Sequence, residues 1–107
     1  MSYNLIVTST FERDVKPLLK KYKSLTNDLA NLFESLEREP AQGIPLGKNC
    51  YKIRLNIKSK GKGKSGGARV ITYVKIIANR IYLLTIYNKS DKENISEKEL
   101  KQLMKYI

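Results

Sequence analysis

The sequence has no histidine, no tryptophan and a single cysteine, Cys50, in 107 residues. Each shortage excludes something. Without histidine the chain lacks the commonest general base at neutral pH and the commonest zinc ligand. An enzyme built on it must work with Lys, Arg, Tyr, Glu or Asp. One cysteine forms no internal disulfide, so a reducing cytoplasm is the expected setting. No run approaches the roughly 18–20 apolar residues that a membrane helix needs, and no N-terminal apolar stretch reads as a signal peptide. No dense acidic cluster offers a metal site, so neither metal nor cofactor is expected. Acid is also missing locally. Between Pro40 and Ser90 there are eleven basic residues and no Asp or Glu.

That gap locates the charge. The chain carries 21 Lys+Arg against 10 Asp+Glu, a formal net charge of +11. Residues 1–39 balance six basic against six acidic side chains, and residues 91–107 balance four against four. The whole excess lies in the middle. A local positive field of this kind suits a polyanion such as nucleic acid; a solvated basic surface that only aids solubility is the plainer alternative. At 41% hydrophobic, the chain supports one modest core and a single domain over residues 1–107.

Tyr3 to Thr8 is a β-branched run that reads as a strand. Ser9 and Glu12 have capping-box spacing and predict a helix from about Thr10, with Phe11, Val15, Leu18, Leu19 and Tyr22 at helical intervals. Pro17 should kink that helix or delay its regular start. Ser24 or Thr26 opens a second helix, carrying Leu25, Leu29, Leu32, Phe33 and Leu36, that ends at Pro40 and Gly43. Residues 40–49 read as a loop. Tyr51 to Lys58 alternates strictly, with Lys52, Arg54, Asn56 and Lys58 opposite Tyr51, Ile53, Leu55 and Ile57. This predicts a half-buried strand with an open cationic face. A basic glycine-rich stretch over 59–67 leads into strands at Ala68–Ala78 and Ile81–Asn88, with Asn79-Arg80 as a tight hairpin. Ser96 and Glu99 form a capping box, and Ile95 and Leu100 a hydrophobic staple, for a last helix. The order β-α-α-β-β-β-α implies a small α+β domain: a mostly antiparallel four-stranded sheet, a helical hairpin on one face and a C-terminal helix.

Lys52 and Arg54 share one strand face, and Arg69 and Tyr73 share another. As hairpin neighbours these four would line one open basic surface, with Arg69 facing outward, Lys58, Lys60, Lys62 and Lys64 at one end, and Lys89 and Lys92 closing another side. Such a cluster suits RNA cleavage. A 2′-hydroxyl attacking the adjacent phosphodiester builds negative charge that fixed cations stabilise, and crowded cations depress one another's pKa, so a lysine can act as a base. Basic strands with interleaved tyrosines also occur in RNA-binding modules that do no chemistry. Cys50 reads as a small core residue with no histidine to activate it.

These residues resemble the RelE/ParE superfamily of type II toxin–antitoxin toxins. Cys50-Tyr51-Lys52-Ile53-Arg54-Leu55, Gly67-Ala68-Arg69-Val70 followed by Tyr73, and Ile86-Tyr87-Asn88-Lys89-Ser90 look like its three successive strands, and the basic insert resembles a HigB-like subgroup. The resemblance implies a metal-independent, ribosome-dependent mRNA endonuclease that cuts message in the A site and inhibits translation. It implies Lys52 as general base, Arg54 and Arg69 as phosphate clamps, and Lys89, Lys92 or Tyr73 as auxiliary groups; Lys58, Lys60, Lys62 and Lys64 would contact RNA. The family's last-strand arginine and final-helix tyrosine are not matched: Ser90 follows Lys89, and Ser96 stands where the tyrosine is expected. A cognate antitoxin, typically a small helix-turn-helix protein, is implied as partner in a hetero-oligomer. The alternatives are a ParE-like gyrase inhibitor and a non-catalytic RNA-binding module.

Overall fold

A computed structural model describes residues 2–60, 67–105 and 107. Its elements are β1 (Asn4–Val7), α1 (Ser9–Lys21), α2 (Leu25–Arg38), β2 (Ile44–Gly47), β3 (Cys50–Leu55), β4 (Ala68–Lys75), β5 (Arg80–Asn88) and α3 (Glu97–Met104). The strands form one sheet in the order β1-β5-β4-β3-β2. Among the described residues, only the β1–β5 pair is parallel.

The sheet has five strands rather than the expected four. The extra one is β2, which lies in the stretch read as a loop and pairs antiparallel with β3. The two are joined by Lys48-Asn49, whose φ values of 53° and 64° are those of a type I′ turn. A proline and a glycine within Ile44–Gly47 remove the alternation by which a strand is recognised.

The starts of α1 and α3 follow side-chain caps. Thr8, not Ser9, caps α1: its Oγ1 accepts from the Phe11 N–H at 3.2 Å. α1 runs unbroken through Pro17 to Lys21. α2 begins after Ser24, one of the two expected positions. The Ser96–Glu99 capping box is reciprocal, with both bonds at 3.0 Å.

α1 and α2 lie on one face of the sheet. Phe11, Val15 and Leu18 of α1 and Leu25, Leu29, Leu32 and Leu36 of α2 bury against Ile53, Leu55, Val70, Ile81, Leu83 and Ile86. α3 covers part of the other face, where Leu100 packs with Cys50, Ile71, Leu84 and Tyr87, and Ile95 borders the cluster.

Two details set the register that matters below. β4 ends at Lys75, short of the expected Ala78; Ile76–Ala78 form a 3₁₀ turn and Asn79, at φ 52° and ψ 47°, closes it. The run of apolar residues looks like strand, yet Ile77 at the hairpin tip is 88% exposed. Further along, Ile71 pairs with Thr85 while Thr72 pairs with Leu83, which leaves Leu84 as an unpaired bulge. Before the bulge, Tyr82 and Leu84 face α3; after it, Tyr87 does, and Ile86 joins the larger core. At the start of β4, Gly67 has φ 73°, and a Cβ there would collide with the Leu55 carbonyl.

Candidate functional site

The site lies on the α3 face, where β3, β4 and β5 present their side chains in rows. The register sets Arg54 opposite Arg69, and Arg69 opposite Tyr87. The next row places Lys52 beside Ile71, and the one after places Cys50 beside Tyr73 and Tyr82. Like charges directly opposed across strands are destabilising, so the Arg54–Arg69 pair is not explained by stability.

The cationic face is not open, as the alternation had suggested. Arg54 is exposed, but Arg69 is only 5% exposed and Lys52 only 8%. The cover is the segment between β5 and α3. Lys52 Nζ donates to Asn94 Oδ1 at 2.8 Å. Glu93 lies between two cations, 3.9 Å from Arg69 Nη2 and 3.8 Å from Lys89 Nζ. Arg69 Nη1 donates to the Ala68 carbonyl at 3.2 Å, and its buried Nε has no hydrogen-bond partner among the described residues. Thus the structure brings Lys52, Arg54, Arg69 and Lys89 to one end of one face.

Tyr87 joins them, and the sequence reading had not singled it out for this role. Its hydroxyl reaches the Glu93 carbonyl at 3.5 Å, and Lys92 Nζ sits 5.0 Å from its ring centroid. Burial pushes the Tyr87 phenol up, and the nearby Glu93 and Glu99 add to this, against the opposing pull of Arg69. Its position depends on the Leu84 bulge, for which no local sequence pattern exists. Lys92 is held by an ion pair with Glu99.

The other predicted residues lie apart. Tyr73 stacks on Tyr82 with ring centroids 5.9 Å apart, separated from Arg69 by Ile71 along β4. Lys58 is exposed, and its backbone N–H donates to Asp28 Oδ2 at 3.2 Å. Lys60 is half-buried: its Nζ donates to Asn88 Oδ1 at 2.8 Å and lies 5.6 Å from the Tyr22 ring centroid. Lys62 and Lys64 lie outside the described residues.

Asn88 ties this end of the sheet together. Its Oδ1 also accepts from the Ser90 N–H at 3.3 Å, and its Nδ2 donates to Tyr22 Oη at 2.9 Å. Burial pushes the Tyr22 phenol up, but the Asn88 bond and the Lys60 and Lys21 cations outweigh it, so the net shift is downward. Cys50 is buried, and burial pushes its thiol up despite Lys48, which fits an inert core thiol.

The description "RelE toxin of RelE / RelB toxin-antitoxin system" belongs to a family model that matches residues 9–107. The chain belongs to the RelE toxin family. The matching model is that of RelE, which replaces the HigB-like subgroup suggested by the basic insert. Among solved structures, the RelE fold recurs in a double arginine-to-alanine mutant of the E. coli toxin RelE in the free state, at TM-score 0.63 and 17% identity over 100% of this chain and 99% of that one. The isolated E. coli RelE toxin matches at TM-score 0.55 and 19% identity, over 99% and 100% of the two chains. The intact E. coli RelBE toxin–antitoxin complex matches at TM-score 0.51 and 20% identity, over 80% of this chain and 95% of that one. Among the described residues of this RelE-family chain, no helix is long and apolar enough to cross a membrane.

Proposed function

We propose that this RelE-family toxin is a ribosome-dependent mRNA endonuclease that needs no metal. One observation supports the reading: two arginines, Arg54 and Arg69, occupy directly opposed positions on adjacent strands. That arrangement is costly without an anion between or above them. A scissile phosphate satisfies both.

In this reaction the 2′-oxygen attacks the adjacent phosphorus, a 2′,3′-cyclic phosphate forms as the P–O5′ bond breaks, and the 5′-oxygen leaves, taking its proton from water. Lys52 Nζ accepts the 2′-proton. Arg54 and Arg69 hold the non-bridging oxygens as charge builds on them. Lys89 and Lys92 add positive charge beside the leaving oxygen. Lys58 is a contact to RNA phosphates. The glycine-spaced Lys62 and Lys64 serve the same end on sequence grounds, since such contacts position a nucleic acid without reading it. A cognate antitoxin is the expected protein partner, by analogy with the E. coli RelBE complex.

Cell-free translation with primer extension on the message tests this. Cleavage that is phased to codons and requires ribosomes is the expected result. Inhibition of gyrase with intact message would sink the reading in favour of a ParE-like activity. RNA binding without cleavage would leave a plain binding module.

A further inference from the structure

Arg69 is the most constrained cation of the site and the least satisfied. Its side chain is 6% exposed and, among the described residues, its Nε is unpartnered and its one hydrogen bond goes to the neighbouring Ala68 carbonyl. A buried guanidinium normally has its donors filled, because an unmet one costs its desolvation. The anion Arg69 does meet is Glu93, at 3.9 Å, longer than a charge-assisted hydrogen bond. The same carboxylate is 3.8 Å from Lys89, and the next residue, Asn94, takes the Lys52 ammonium. Two adjacent side chains on one strap therefore occupy three of the groups assigned above to the reacting phosphodiester.

The strap is held at its ends. Asn88 accepts from the Asp91 N–H at 2.9 Å and from the Ser90 N–H through its side chain, and the Ser96–Glu99 box fixes the start of α3. Glu93 itself is half-exposed, and its contacts are long. A carboxylate so placed is a weak occupant of a strong anion site.

We propose that Glu93 is a built-in stand-in for the RNA phosphate, which must displace Glu93 and Asn94 to reach Arg69, Lys89 and Lys52. The strap thereby lowers the toxin's affinity for RNA until a better anion arrives. This inference rests on the phosphate-binding reading of the Arg54–Arg69 pair. A phosphate oxygen forms shorter and more numerous bonds to a guanidinium than a carboxylate held near 4 Å, so displacement is favoured only by a well-placed ligand.

Fluorescence anisotropy with a labelled RNA carrying a 2′-deoxy substitution at the cleavage position measures binding without turnover. E93Q should bind about two- to fivefold more tightly than wild type, the range that a half-exposed ion pair allows. E97Q makes the same change in net charge on α3, away from the cluster, and should bind more weakly than E93Q. Equal binding by E93Q and E97Q would overturn the stand-in and leave the RNA site intact. Weaker binding by E93Q would also overturn it, because Glu93 would then be a substrate contact. R69M separates the two levels. If R69M binds as well as wild type, the phosphate site itself is misplaced, and the stand-in falls with it.

Discussion

A guanidinium offers five N–H donors and no acceptor, and Arg69 leaves its Nε unfilled in a buried position. Its replacement separates function from folding. Arg69→Met keeps the unbranched apolar stem of the side chain but removes the guanidinium and its charge. Breaking a buried pair is destabilising when it strands a buried charge; here the group left behind is Glu93, which is half-exposed and free to rehydrate. Unfolding in urea should therefore place Arg69→Met within about 1 kcal/mol of wild type. Ribosome-dependent cleavage should fall by about 10²–10³-fold, the scale of losing one fixed transition-state donor. Retained cleavage would remove Arg69 from the site. The family resemblance implied a phosphate clamp at Arg69, and the strand pattern put that residue on an open surface. Strand alternation tells which face a residue joins and nothing about what later covers that face. The cover here comes from Glu93 and Asn94, beyond a whole further strand.

At the scale of elements, α3 was the most legible. Ser96, Glu99, Ile95 and Leu100 are a local code, and the structure uses all four. The Lys92 ammonium bond, followed by the Ser96 N–H bond, holds the Glu99 carboxyl below the usual carboxylate range. The sign follows from that lowering. The folded state favours ionised Glu99, so its contribution is fully present above the ordinary glutamate value of about 4.3 and is lost as pH falls through the lowered value. Glu99→Gln keeps a capping-box residue and removes only the ionisation. The difference in Tm between wild type and Glu99→Gln should shrink on going from about pH 6 to about pH 3. A difference that stays constant would show that the Lys92 pair contributes nothing. β2 was illegible for a physical reason as well. Its partner strand and its type I′ turn define it, and Lys48-Asn49 lacks the glycine by which such turns are usually recognised.

Across the whole molecule, the sheet divides its labour between faces. One side buries the helical hairpin, and the other carries α3 and the cationic rows. The acid-free stretch of residues 40–90 contributes eleven cations, so binding to single-stranded RNA should depend steeply on salt, losing about 0.7 in log–log slope for each phosphate contact removed. The double variant Lys62→Ala/Lys64→Ala should lower that slope by about 1.4 if both lysines meet phosphates. Titration of labelled RNA over a range of salt concentrations measures it, and an unchanged slope would remove both from the interface. The position of the excess charge was plain in the sequence, but the role of Lys60 was not. Its ammonium turns inward to Asn88 and Tyr22, a choice made by residues distant in the chain. The unpaired Leu84 has a consequence of the same long-range kind. A strand has two sides, and one surplus residue exchanges them for everything downstream. Were Leu84 drawn into the ladder opposite Ile71, Ile86 would stand opposite Arg69 and Tyr87 opposite Ala68, sending an aliphatic group to the guanidinium row and a phenol into the core. The site is thus encoded by how the ladder is counted as well as by residue identity, and pairing one surplus uncharged residue would be enough to dismantle it.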